Sequence, residues 1–124
     1  MGGRGANFRI TERLPSYEKA VILRRKIKNY ILNPSKDPGK AKYFRSSGYN
    51  MNNKKRFKAD ILGQLRKKQV LEYAKDEYGG VAYQVGMVLG INKKRVVKTG
   101  WYIGKSERLP RFVTAYPKKK AGKT

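Results

Sequence analysis

A change of hydrophobic period at Tyr78-Gly79-Gly80 restricts this chain to one kind of fold. Upstream of it, Phe57, Ile61, Leu62 and Leu65 recur at helical spacing, and Lys54, Lys55, Arg56, Lys58, Arg66 and Lys67 occupy the remaining positions. That pattern predicts a helix with one apolar stripe, and the asparagine-rich segment at 50–53 offers its N-cap. Downstream, Val81, Tyr83, Val85, Met87, Leu89 and Ile91 alternate with small or polar residues, the two-residue repeat of a half-buried strand. GINKK then reads as a hairpin loop into RVVKTGWYI, where Val97, Trp101 and Ile103 share one face and Lys98, Gly100 and Tyr102 the other. A turn through Lys105 and Ser106 leads to LPRFVTAY, in which Pro110 lacks an N–H for a ladder and argues for an edge strand. Helices followed by strands give an α+β fold. N-terminal helices are expected on one face of an antiparallel sheet of three or more strands, three of them in a meander, with the opposite face open to carry a site.

The N-terminal half is less regular. Residues 1–15 are Gly-rich, lack periodicity and end at Pro15, so they read as a flexible lead-in. Over 17–32, Ala20, Leu23, Ile27, Tyr30 and Ile31 recur at helical spacing, although the Ala20-Val21-Ile22 run suits a short strand before a shorter helix equally well. NPSKDPGK, with two prolines and a glycine, forces a loop that ends by presenting Lys40, and a short helix follows at 41–47, stopped by Gly48. The tail PKKKAGKT is basic and reads as disordered. The expected organisation is a single domain at 16–117, with 118–124 as a basic tail.

Charge narrows the partners. Lys and Arg number 31 against eight Asp and Glu, a formal net charge of +23. So large a surplus repels itself and weakens folding, which points to a polyanion that uses the field. Nucleic acid fits best, because each neutralised phosphate releases condensed counterions and yields tight, salt-sensitive affinity. No apolar run spans a bilayer, and neither a signal-peptide nor a lipidation pattern is found, so a membrane partner is not expected. An acidic protein partner is compatible with the same charge. The 39% apolar content, with nine tyrosines, supplies material for a core.

The chain has no histidine and no cysteine, which removes disulfides, thiolate nucleophiles, the commonest acid–base group and the commonest metal ligands. The carboxylates are not spaced as a two-metal nuclease cluster, so no metal and no small-molecule cofactor are expected. Chemistry then falls to Lys, Arg, Tyr, Ser and Thr. Lys40 follows Gly39 where backbone amides can converge on a phosphate, although a solvated surface role is the commoner one for a lysine. Lys98 stands in a strand beside Gly100, which removes a side chain where a ligand or a backbone can come close. On the last strand, two-residue alternation puts Phe112, Thr114 and Tyr116 on one face and Arg111 on the other, unless Pro110 or a bulge re-aims it. Trp101 is either a core residue or a base-stacking platform.

The landmarks AVI with KIKNYILNP, GKAKYF with GY, and VVKTGWYI with LPRFVTAY resemble a domain found at the C-terminus of bacterial polymorphic toxins and of phage MuF-type proteins, over 20–116. That group is similar to the barnase, EndoU, colicin and RelE superfamily of ribonucleases, whose helices precede an antiparallel sheet with the active site on its open face. Lacking histidine and a glutamate base, the sequence stands nearer to RelE-like members than to barnase. The resemblance implies a metal-independent RNA-cleaving toxin, of the kind used in contact-dependent inhibition. Such a toxin is secreted or phage-delivered, acts in the bacterial cytoplasm and is neutralised by an immunity protein.

Charge, layout and resemblance together lead to an expected ribonuclease that cuts structured RNA, tRNA foremost. Lys98 and Arg111 would stabilise the phosphorane, Thr114 and Tyr116 would orient or exchange protons, and Lys40 would hold a flanking phosphate. Lys93, Lys94, Arg95, Trp101 and Lys105 would grip the RNA. The alternative is a non-catalytic RNA- or DNA-binding module, ribosome-associated or serving phage packaging, which needs only the charge.

Overall fold

The computed structural model describes residues 12–36 and 38–117, those at 29 and 30 by backbone alone. Strands β1 (Val70–Lys75), β2 (Val81–Leu89), β3 (Arg95–Ile103) and β4 (Arg111–Pro117) form one antiparallel sheet in the order of the chain. Helices α1 (Arg24–Lys26), α2 (Pro38–Ser46) and α3 (Lys54–Leu65) precede it, which makes the fold α+β. β1 extends the expected meander to four strands. Its VLEYAK sequence carries Glu, Ala and Lys, which favour strands poorly, and only Val70 is buried.

Neither option over 17–32 holds in full: the helix is broken, and of the Ala20-Val21-Ile22 run only Val21 makes a β-bridge. A 3₁₀ turn at Tyr17–Lys19 is followed by Val21, whose N–H donates to the Pro110 carbonyl (2.9 Å) and whose carbonyl accepts from Phe112 N–H (2.8 Å). Val21 thereby covers part of the outer edge of β4, as edges generally require. α1 then runs into a π-helical turn, Ile27–Ile31, and Ile22, Ile27, Ile31 and Leu32 enter the core. The side chain of Tyr30, named in the expected stripe, lies outside the described residues.

Leu14, assigned to the lead-in, is buried, and the Glu12 carbonyl accepts from Val70 N–H at 2.9 Å. The packed region therefore begins before Pro15. The remainder of the lead-in, 1–11, and the tail, 118–124, lie outside the described residues.

α2 starts at Pro38, not at 41, because proline at the first helical position has the right φ and no N–H to leave unpaired. Lys40 consequently stands in the first turn of a helix and not at the end of a loop. The helix ends before Gly48, whose φ of +102° is left-handed and whose missing Cβ would sit 2.9 Å from the Ile91 Cβ. The asparagine segment caps not α3 but a 3₁₀ turn, Met51–Asn53, that runs into it: Asn50 accepts from Asn52 N–H and Asn53 Oδ1 accepts from Asn50 N–H in a capping box, while Asn53, the N-cap of α3 itself, makes no side-chain capping bond.

The core lies between the helices and one face of the sheet. Phe57, Ile61 and Leu65 of α3 pack with Val85, Met87, Leu89, Val97, Trp101, Phe112 and Ala115. Phe44, Tyr49 and Phe57 meet edge to face at 5.1 and 4.9 Å, an arrangement worth about 1 kcal/mol per pair beyond area. The Tyr49 hydroxyl donates to Asp60 Oδ2 (2.6 Å) and accepts from Gly90 N–H (3.0 Å), which joins α3 to the end of β2. Burial, with the Asp60 carboxylate beside it, pushes that phenol far above its ordinary pKa.

Candidate functional site

The face of the sheet turned away from the core carries the candidate site. Cross-strand register sets it out in rows: Gly86, Lys98 and Tyr116; then Gln84, Gly100 and Thr114; then Ala82, Tyr102 and Arg111. The first and last rows are four residues apart along β3, about 13 Å.

Arg111 reaches that face through a β-bulge. Gly100 pairs with Thr114 and Trp101 with Phe112, so Val113 is an extra residue in β4. Were Val113 paired in regular alternation, Phe112 would fall on one face with Thr114 and Tyr116, as the sequence alone predicts. With it, Phe112 turns into the core, 2% exposed, and Arg111 joins Thr114 and Tyr116 on the open face. The expected grouping of Phe112 is thus corrected, and the conflict over Arg111 is resolved by the bulge.

Lys40 arrives from α2. Its Nζ donates to Thr114 Oγ1 at 2.8 Å and lies 6.0 Å from the centroid of the Tyr116 ring. Lys98, the cross-strand neighbour of Tyr116, also places its Nζ 6.0 Å from that ring. Two ammonium groups, a hydroxyl and a phenol therefore share one small region. Gly100 opens space beside them: a Cβ there would stand 3.5 Å from Thr114 Cγ2.

Beyond this group the face forms a hollow of about 440 Å³, lined by Gln84, Gly100, Tyr102, Arg111, Thr114 and Tyr116 and flanked by Leu23 and Lys26. Arg111 is held at its far end by Glu107, at 3.1 Å, and Glu107 also accepts from Gly104 N–H. Tyr102 is fixed by donation to Asp76 Oδ2 at 2.5 Å, while Asp76 Oδ1 accepts from Tyr78 and Gly80 N–H in the β1–β2 turn. The bond from Tyr102 holds the Asp76 carboxyl below the usual range, and the carboxylate pushes the phenol up. At Gly80 a Cβ would fall 1.9 Å from the Tyr102 hydroxyl oxygen, so a side chain there would displace the phenol from Asp76.

The other expected contacts are dispersed. Trp101 is 1% exposed, its ring edge-on to Phe112 at 5.3 Å and its Nε1 donating to Thr99 Oγ1, so it has no face for a base and belongs to the core. Arg95 is half-buried with its guanidinium 4.9 Å from the Tyr43 ring. Lys93 and Lys94 are exposed in the β2–β3 hairpin, whereas Lys105 is exposed past the opposite end of β3, against Gly79. Among these five, none lines the hollow except Trp101, from its buried side.

Lys26, Gln84 and Tyr102 line the hollow without having been singled out from the sequence. Gln84 carries the clearest signal, since its Oε1 is buried and has no partner among the described residues. Alternation around Val85 would have put Gln84 on the open face, but only the register places it beside Gly100.

Among the described residues, no group of three or more carboxylates gathers where it could hold a metal ion, and no helix is long and apolar enough to cross a membrane. A family model described as a domain of unknown function, DUF6883, matches residues 13–119. The chain belongs to the DUF6883 family. The match begins next to Leu14, the first buried residue of the DUF6883 domain described here, and spans the whole sheet. Neither a curated protein nor a solved structure matches the chain.

Proposed function

We infer that this domain is a metal-independent ribonuclease toxin that cuts structured RNA, tRNA foremost. In this reading it is secreted or phage-delivered, acts in the cytoplasm of target bacteria, and is neutralised by an acidic immunity protein. The observation that carries the reading is the meeting of Lys40, Lys98, Thr114 and Tyr116 on an open sheet face, with Arg111 re-aimed onto it by the bulge.

Cleavage of this kind uses the RNA's own 2′-hydroxyl. Its oxygen attacks the adjacent phosphorus, the bond to the 5′ oxygen breaks, the 2′ proton passes to a base and the leaving oxygen takes up a proton. The products are a 2′,3′-cyclic phosphate and a 5′-hydroxyl, with no co-reactant. The positive groups of Lys98 and Lys40 supply the electrostatic stabilisation that is usually the largest contribution. Because Thr114 Oγ1 accepts from Lys40, its own proton is left to donate to a phosphate oxygen. Tyr116 exchanges protons, and Arg111, from the far row, takes the charge of a neighbouring phosphate.

Purified protein is expected to cut total RNA, and Lys98→Met or Tyr116→Phe to slow it roughly a hundredfold or more at unchanged melting temperature. Expression without a partner gene should be toxic. If total RNA stays intact and Arg111→Ala costs no toxicity, the enzyme reading fails. The +23 charge by itself favours a second reading, a non-catalytic RNA- or DNA-binding module, under which expression is tolerated and RNA is bound but uncut.

A further inference from the structure

A second cavity, of about 600 Å³, lies between α3 and the end of β2, away from the hollow and within the size range of small-ligand sites. One face of α3 forms its wall, with Arg56, Asp60 and Gln64 on successive turns; Lys67 adds to it from the turn just past the helix, and Lys94 closes it from the β2–β3 hairpin.

Gln64 is oriented without ambiguity. β1 pairs with β2 only as far as Val85, so the Val88 N–H is left without a strand partner and donates to Gln64 Oε1 at 3.0 Å. A backbone N–H can only donate, so the oxygen must face the strand and the amide NH₂ is left to the cavity. Capping the strand edge explains the oxygen but gives the NH₂ nothing to do. Beside it, Asp60 binds Arg56 through both oxygens and Tyr49 through Oδ2, which leaves acceptor capacity on Oδ1. A donor and an acceptor thus stand one helical turn apart, with cations around them.

Gly63 lies between these two residues in the last turn of α3, where glycine still costs more backbone entropy than alanine. No atom lies within 4 Å of where its Cβ would stand, so no neighbour in the fold requires the missing side chain. The space it leaves belongs to the cavity.

We propose that this cavity is a second RNA subsite, which takes an unpaired nucleotide with a keto base. Asp60 accepts from the ring N–H, the Gln64 NH₂ donates to the adjacent carbonyl, and Lys67 and Lys94 hold the flanking phosphates. Uracil and guanine offer that N–H and C=O pair, whereas cytosine and adenine present the reverse. The proposal rests on RNA being the partner, as inferred above, but not on cleavage.

The test uses short 2′-O-methyl oligonucleotides, which cannot undergo in-line attack, with affinity read by fluorescence anisotropy across salt concentrations. The full chain is expected to prefer oligouridylate to oligocytidylate, and Gln64→Leu to abolish the preference. Gly63→Leu is expected to raise the melting temperature while weakening oligouridylate binding roughly tenfold, the scale of one lost base-edge contact. Lys67→Ala with Lys94→Ala should reduce the salt slope by roughly two. If Gly63→Ala and Gly63→Leu bind as the parent does, or the two oligonucleotides bind equally, the subsite is overturned while RNA cleavage by the parent protein would still stand. If the parent binds no RNA at all, both proposals fall.

Discussion

At the scale of single residues, the Tyr102–Asp76 bond is the best-defined determinant on the open face. Asp76 collects three donors in the β1–β2 turn, and Tyr102 is the one that chiefly lowers its pKa. A carboxyl with a depressed folded pKa contributes stability in full above its ordinary value, near about 3.9, and loses it as pH falls through the folded value. Tyr102 is raised, so its contribution is present below about pH 10 and disappears as pH climbs through the folded value. Tyr102→Phe is therefore expected to lower the melting temperature by a few degrees at neutral pH and to flatten its decline on the acid side. Melting curves over a pH series check this, and parallel slopes for parent and variant would refute it. Asp76 was not legible in the sequence as a partner for Tyr102, because the two are brought together by the pairing of β2 with β3 and not by any local spacing.

Among the elements, β4 decides the composition of the face. Val113 is the extra residue of the bulge and is itself exposed. Removing it would make the pairing regular while leaving Phe112 toward the core and Arg111, Thr114 and Tyr116 outward. A Val113 deletion is thus expected to fold, at a cost within about 2 kcal/mol, whereas Phe112→Ala should cost about 3–5 kcal/mol through the cavity beside Trp101. Denaturant unfolding of the two variants measures the difference, and a deletion that unfolds the protein would contradict the register described for β4. The α3 stripe and the β2 and β3 alternation were legible because burial imposes one period on each element. Over 17–32 periodicity leaves a continuous helix and a short strand before a shorter helix equally open, and the hydrogen bonds of Val21 to the edge of β4, which local periodicity does not record, decide against the continuous helix.

The molecule as a whole is a polycation built on a modest core, and its behaviour toward RNA should follow from that. Affinity is expected to fall steeply between low and physiological salt, with the logarithm of the binding constant linear in the logarithm of salt concentration. If the proposed ribonuclease reading holds, cleavage should continue unchanged in excess chelator, since the chain has no histidine or cysteine and its described carboxylates do not gather at one point. Loss of cleavage on chelation, restored by a divalent cation, would require a different mechanism. The hollow on the open face and the α3 cavity share no lining residue, so one bound RNA would have to span two separate sites to occupy both.

Composition and periodicity were enough to determine the charge, the class of partner it favours, the α+β order and the faces of β2 and β3, because each depends on residues close in sequence. The company kept by Arg111, the burial of Trp101, the seat of Lys40 on a helix beside Thr114, and the orientation of the Gln64 amide were decided only in three dimensions. Each depends on a register, a bulge or a helix start, and a displacement of one residue in any of them turns a side chain to the other face.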